Sequence, residues 1–326
     1  MSNNVEDTFQ VIDEITETLE MKLQEPYLEC LTISLPFLYT GELPEELDDL
    51  QIKKIEKSTK DFRIDEMDKE IIRKATQLAL LKAMKDTTQQ QHVMTPDTVA
   101  MVIGYLVQKL TNKSEKLRLF DPACGVGNLL TAVLNQLKME IESYGSEVDP
   151  TLVQLALANA NLQKNSIEFF HQDSLRPFLL EPVDVIISDL PVGYYPDDIQ
   201  ASNYELNIEE SHAYSHHLFI EQSINYTKAG GYLVFVIPSF LFTSEYADQL
   251  HTYLHKVAHI VGVLELPESM FKNERNQKSI LILQKKDEDT TPPKQVLMAK
   301  LPSFKNVQAT EQVLAKINHW FKEEGY

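Results

Sequence analysis

Asp121-Pro122-Ala123-Cys124-Gly125-Val126-Gly127-Asn128 follows the apolar run Leu117–Phe120 and leads into a helical stretch, Asn128–Leu137. Two glycines just after a strand let the backbone turn tightly and approach a ligand closely. The following helix turns its free N–H groups toward that ligand. One strand later, Gly145-Ser146-Glu147-Val148-Asp149 places an acid where it can accept from both hydroxyls of a ribose. Two details argue against a nicotinamide dinucleotide. Leu130 stands where the third glycine of GxGxxG belongs, and Asp121 would sit poorly beside a pyrophosphate. Asp121 suits a ligand with a cationic amino-acid end, and S-adenosylmethionine (AdoMet) is such a ligand. After the third strand, Asp173 in His171-Gln172-Asp173-Ser174 either accepts from an adenine amino group or caps the next turn.

Outward from this loop, short apolar runs alternate with helical stretches. The runs are Leu117–Phe120, Ser143–Glu147, Ile167–Phe170, Val183–Ser188, Gly231–Pro238, Ile260–Leu266 and Ser279–Gln284. Helical stretches lie at Thr151–Gln163, His212–Thr227 and Ser244–Val257, and a tail helix is expected at Thr310–Lys322. The alternation predicts a Rossmann-like α/β fold: a doubly wound, mostly parallel, seven-stranded sheet. The last two runs have no helix of useful length between them, which predicts an antiparallel edge strand. Thr95 reads as an N-cap and Pro96 as the first helical residue of a helix to about Leu110.

The N-terminal region differs. Phe9, Ile12, Ile15 and Leu19 recur at helical spacing, as do Ile71, Ile72, Ala75, Leu78, Ala79 and Leu81, with Pro26, Pro36, Gly41 and Pro44 between them. Three or four helices should form a small all-α domain at residues 1–90, joined by a polar connector, Thr87–Gln91, to an α/β domain with a C-terminal helix at 91–326. A chain of 326 residues agrees with about two domains.

The chain has 30 basic against 49 acidic residues, a net charge of −19. Duplex binding relies on Lys and Arg neutralising phosphates, so the isolated protein should hold DNA weakly or through a partner subunit. Two cysteines are too few for a disulfide scaffold or a zinc site and suit a reducing cytoplasm. The acidic, polar N-terminus is not a secretory signal. The most apolar stretch, Gly230–Phe242, contains Pro238 and falls short of the ~20 apolar residues of a membrane span.

"DPACGVGNLL", preceded by "QHVMTPDTVAMVI", resembles the start of an amino-group DNA methyltransferase of the adenine-N6 type, notably the modification subunits of type I restriction systems. The whole chain resembles the small bacterial YtxK-like members of that superfamily, and "LPESMFKNERNQKSILILQKK" resembles the family's final strand pair. The resemblance implies AdoMet as cofactor. Thr95 and Pro96 would lie over its methionine end, with Asp121, Ala123, Gly125 and Gly127 along the loop, Glu147 at the ribose and Asp173 at the adenine. It also implies a catalytic tetrapeptide, (Asn/Asp/Ser)-Pro-Pro-(Tyr/Phe/Trp), after the fourth strand. Here that place reads Asp189-Leu190-Pro191-Val192, followed by Gly193-Tyr194-Tyr195.

In that family the acidic or amide side chain and the next backbone carbonyl accept both hydrogens of an exocyclic amino group, aiming its lone pair at the methyl. The aromatic residue stacks on the flipped base. Asp189 is suited to the acceptor role. Val192 cannot stack, so Tyr194 or Tyr195 is the candidate substitute, and the catalytic set is Asp189, Pro191, Tyr194 and Tyr195. The acceptor is DNA on this reading. RNA, a protein amide, a small molecule, or a retained fold without turnover are the alternatives. With about forty residues after the last strand, a target-recognition module is missing. The acidic N-terminal helices could form a homodimer surface or dock a basic partner.

His212, His216 and His217 cluster at a helix start, and the first and second are one turn apart. Without a carboxylate partner set, a solvated helix end is expected rather than a metal site. Cys124, Met21, Met67, Met84, Met101, Phe240 and Phe242 read as packing residues.

Overall fold

The computed structural model describes residues 4–60, 62–85, 94–209 and 211–326. The expected connector Thr87–Gln91 and the expected boundary at residue 90 lie outside the described residues. The described chain forms two compact units, one within residues 1–100, 124–136 and 145–171, the other at 101–123, 137–144 and 172–326.

The first unit holds helices α1 (Val5–Leu23), α2 (Tyr27–Thr40), α3 (Asp49–Thr59) and α4 (Lys69–Lys85). Polar side chains start two of them. Asn4 Oδ1 accepts from the Asp7 N–H, while Asp48 and Gln51 form a reciprocal capping box on α3. The predicted apolar spacing is borne out on α1, where Ile12, Ile15 and Leu19 are fully buried. Ile12, Leu31, Leu35, Ile72, Ala75 and Ala79 share one core with Leu152, Leu155 and Ala158 of α7 (Pro150–Leu162). Each large aliphatic side chain buried there contributes about 1.5–3 kcal/mol. Asp149 caps α7 by accepting from the Thr151 and Leu152 N–H groups, and Pro150 takes the first helical position, where its missing N–H costs nothing. The unit also holds α6 (Asn128–Leu134) and β3 (Ile167–His171). Met21 is exposed rather than packed.

The chain's α5 (Asp97–Leu110) and β1 (Lys116–Asp121) precede α6, and β2 (Glu140–Glu147) follows it. After β3 come β4 (Val183–Asp189), α8 (Asp198–Ala201), α9 (Ser215–Asn225), β5 (Thr227–Pro238), α10 (Ala247–Val257), β6 (Ala258–Glu265), β7 (Lys278–Lys285), β8 (Leu297–Lys300) and α11 (Val307–Glu324). The strands form one eight-stranded sheet in the order β3-β2-β1-β4-β5-β7-β6-β8. β1 runs parallel to β4 and β4 to β5; β7 is antiparallel to both β5 and β6. Its residues Ser279–Leu283 are all buried, as expected of a strand covered on both faces.

The Rossmann-like doubly wound sheet is thus present, with one strand more than the seven expected. β8 pairs parallel to β6 through Leu297–Lys300. Four residues, Leu-Met-Ala-Lys, carry little strand propensity, so tertiary pairing makes the strand. Among the described residues no helix is long and apolar enough to cross a membrane.

Candidate functional site

Parallel strands β1 and β4 end side by side, with the order β1-β4-β5 on one flank and β1-β2-β3 on the other. The carboxyl ends of strands at such a reversal of winding are where open α/β sheets bind ligands. β1 ends at Asp121 and β4 at Asp189. Asp121 is buried, and its Oδ1 accepts from the Ala123 N–H at 3.1 Å and from Ser188 Oγ at 2.9 Å. Ser188, fully buried and immediately preceding Asp189, therefore links the end of β4 to the acid at the end of β1. A serine inside the apolar run Val183–Ser188 was the signal in the sequence that this strand carries a polar contact.

The loop after β4 is held by contacts proline could not make. Leu190 replaces the first proline of the expected tetrapeptide, and its N–H donates to the Val236 carbonyl at 3.1 Å while its side chain is buried. Proline has no N–H, so burial and a backbone hydrogen bond take over the rigidity its ring would supply. Pro191 and Val192 are exposed. Gly193 O accepts from the Ser215 N–H, and Tyr194 forms a bridge with Tyr214.

The two tyrosines face different surroundings. Tyr195 is buried and donates its hydroxyl to Asp173 Oδ2 at 2.5 Å; Asp173 Oδ1 accepts from the Leu175 N–H at 2.9 Å. Burial, reinforced by the Asp173 carboxylate, pushes the Tyr195 hydroxyl well above the ordinary phenol range. Tyr194 is 59% exposed, with its ring stacked on Tyr214 at 5.1 Å and 17°. Tyr214 stacks in turn on His216 at 5.1 Å and 25°. The result is a three-ring stack that begins in the interior and ends at an exposed tyrosine.

His216 and His217 correct the expectation of a solvated helix end. Both are buried, and among the described residues none of their four ring nitrogens has a hydrogen-bond partner. Burial, with His217 adding to it, pushes His216 down to about 3, and burial pushes His217 down to about 4, so both rings are neutral. The reason is local. α9 begins inside the stack under Tyr214, so its first turn faces rings instead of water. His212 stays exposed and meets Asp198 at 2.8 Å. Among the described residues no group of three or more metal-ligating side chains converges.

In the first unit, Gly125 and Gly127 adopt left-handed φ values of 53° and 73°. A Cβ at Gly125 would enter open space, whereas one at Gly127 would meet Ala156 Cβ at 3.4 Å. The Gly125 N–H donates to Glu147 Oε2 at 3.0 Å, and Glu147 Oε1 accepts from the Val148 and Asp149 N–H groups at 2.8 and 3.0 Å. Glu147 is thus oriented by three backbone donors. The Thr95 carbonyl accepts from Asn128 Nδ2 at 2.9 Å, and Asn128 Oδ1 accepts from Arg73 Nη1 at 3.2 Å. Arg73 is buried and also pairs with both oxygens of Glu70 and with Asp97 at 2.5 Å. Sequence reading missed Arg73, a lone cation among the apolar positions of α4, and missed Lys278, whose ammonium lies 2.6 Å from Asp189 Oδ1.

The N-6 DNA Methylase family model matches residues 78–325, and the YtxK N-terminal helical domain model matches residues 6–84. Uncharacterized protein YtxK of Bacillus subtilis (strain 168) is 43% identical over 320 residues, covering 97% of each chain. A crystal structure from Listeria monocytogenes, of a protein provisionally assigned as a class I S-adenosylmethionine-dependent methyltransferase, matches with a TM-score of 0.91. It is 41% identical, and the match covers 97% of this chain and 98% of that one. The type I restriction-modification methyltransferase subunit of Streptococcus thermophilus matches at a TM-score of 0.64 and 14% identity. That match covers 96% of this chain and 74% of that one and shows a shared fold.

Proposed function

Since the chain belongs to the N-6 DNA Methylase family and to its YtxK-like branch, we propose that it is an AdoMet-dependent methyltransferase of the adenine-N6 DNA type, acting on an exocyclic amino group held at Asp189. The observation that carries this reading is the Ser188–Asp121 hydrogen bond, which brings the ends of β1 and β4 into register. It sets an acid suited to the cofactor's cationic end beside the strand end that presents an acid suited to an amine.

AdoMet, when bound, supplies an electrophilic methyl on its sulfonium. Asp121, Ala123, Gly125, Gly127 and Thr95 would hold its amino-acid end, Glu147 its ribose and Asp173 its adenine. The residues fit that group: Asp121 is a buried carboxylate, and Gly125 leaves open the space a side chain would fill. Asp189 and the Leu190 carbonyl would accept the two amino hydrogens, directing the nitrogen lone pair along the line of transfer. The same acceptors stabilise the positive charge that grows on nitrogen. Pro191 shapes the turn. Tyr194, exposed at the end of its ring stack, is the surface on which a base would stack, while Tyr195 acts from below through Asp173.

Residues 1–90 and 91–326 would act as helical module and catalytic module. A net charge of −19 gives the chain little affinity of its own for phosphate, so contact with DNA would be weak or come through a partner subunit, and the N-terminal helices would join two copies in a homodimer. Both cysteines are buried, and a chain with two cysteines suits a cytoplasmic setting.

The test is transfer of radiolabelled methyl from AdoMet to DNA, RNA and cell extract in parallel, with Asp189→Ala as control. Label in DNA that disappears in the variant supports the reading. Label confined to RNA or protein moves the substrate class, and AdoMet binding without transfer to any acceptor leaves an interaction protein.

A further inference from the structure

Lys278 opens β7 and pairs in register with Pro238 of β5, so its side chain must cross the end of β5 to reach β4. It does so, and its Nζ donates to Asp189 Oδ1 at 2.6 Å. The carboxylate is largely buried, at 13% exposed, and the lysine side chain is 31% exposed. The neighbouring backbone fixes where the lysine starts: the Ser239 N–H donates to the Gln277 carbonyl, and Ser239 Oγ lies 3.0 Å from Ser279 Oγ.

We propose that Lys278 is the positioning residue of Asp189: its ammonium holds the carboxylate and cancels its charge, so the site offers a neutral acceptor to an uncharged amino group. The proposal rests on the methyltransferase reading above and deepens it by naming the acceptor class. A carboxylate this far from water needs a compensating charge. With Lys278 in place, the pair is electrically equivalent to an amide oxygen, the other group the family's tetrapeptide uses here. A cationic amine approaching Asp189 would meet the Lys278 ammonium and be repelled. An aromatic amino group or a carboxamide, which carries no charge, would not.

The experiment uses the full chain, labelled AdoMet and an adenine-containing single-stranded oligonucleotide, comparing Lys278→Met, Lys278→Arg, Asp189→Asn and the Asp189→Asn, Lys278→Met double variant. Losing a hydrogen bond to a charged group corresponds to about 10–100-fold, so Lys278→Met should lower kcat by that factor with little change in KM for AdoMet. Lys278→Arg should recover most of it. The double variant should be more active than Lys278→Met alone, because an amide needs no counter-charge; a lysine that merely supported the fold would give no such rescue. Unchanged kcat in Lys278→Met, or a double variant no better than the single, overturns the proposal. If wild-type chain labels no oligonucleotide, the DNA reading is what has failed. The pair is then read from thermal unfolding of the same variants, where less-than-additive losses in Tm support the coupling and additive losses overturn it.

Discussion

Tyr195 donates its hydroxyl to Asp173 Oδ2, tying the loop after β4 to the turn after β3. Its neighbour Tyr194 faces outward on Tyr214, so adjacent tyrosines have separable roles. Tyr195→Phe removes a buried hydrogen bond to a carboxylate and should lower unfolding free energy by about 1–3 kcal/mol in urea titrations. Tyr194→Ala should change stability by only about 0.5 kcal/mol. It should lower methyl transfer to a nucleic acid by about 5–100-fold through lost stacking. Full activity in Tyr194→Ala would remove the stacking role.

The buried histidines predict an acid-sensitive fold. An unfolded histidine titrates near ~6.5, whereas His216 and His217 in the folded chain are held at about 3 and about 4. Below ~6.5 the unfolded chain therefore binds more protons than the folded one, and their contribution to stability, complete above that pH, declines as pH falls toward the folded values. Urea midpoints measured from about pH 7 to about pH 4.5 should drop, and a His216→Phe, His217→Phe variant should flatten that decline. An equally steep decline in the variant would place the acid sensitivity elsewhere.

Arg73→Met strips the counter-charge from Glu70 and Asp97 and the anchor from Asn128. Both acids keep some solvent, so the expected loss is about 3 kcal/mol, the low end for a broken buried pair. Asn128 carries the Thr95 carbonyl, so calorimetry should also show weaker AdoMet binding. Burial raises the Glu70 pKa, but the hydrogen bonds from Arg73 and Asn135 outweigh it and hold the carboxyl below the ordinary range. This contribution is present above ~4.3 and is lost as pH falls below it. In Arg73→Met that low-pH loss should shrink.

Gly127→Ala forces a side chain into a left-handed conformation against Ala156 and should cost about 1–2 kcal/mol of stability. Gly125→Ala carries similar backbone strain but points its methyl into open space, so its larger effect should be on AdoMet affinity. Glu147→Gln weakens the carboxylate's three backbone hydrogen bonds and its hold on a ribose, and about 10–100-fold weaker AdoMet binding is expected by calorimetry. Wild-type affinity in both variants would separate this loop from the cofactor.

Much of this was legible in the chain because it is written in local patterns. Ile12, Ile15 and Leu19 mark a helix face by spacing, and runs such as Val183–Ser188 mark buried strands. β8 was not legible, because four residues of weak propensity become a strand only by pairing with β6. The histidines were misread because one exposed neighbour, His212, shares their segment, and only packing shows that Tyr214 covers the other two.

The sequence by itself determined the α/β class, the tight glycine turn after β1, and the positions of Asp121, Glu147, Asp173 and Asp189 at or just after strand ends, since these follow from periodicity and residue type. Tertiary structure alone decided that Ser188 joins Asp121, that Tyr195 rather than Tyr194 holds Asp173, and that Lys278 neutralises Asp189. Those contacts join residues on different elements, and only strand order and register bring them within hydrogen-bonding distance.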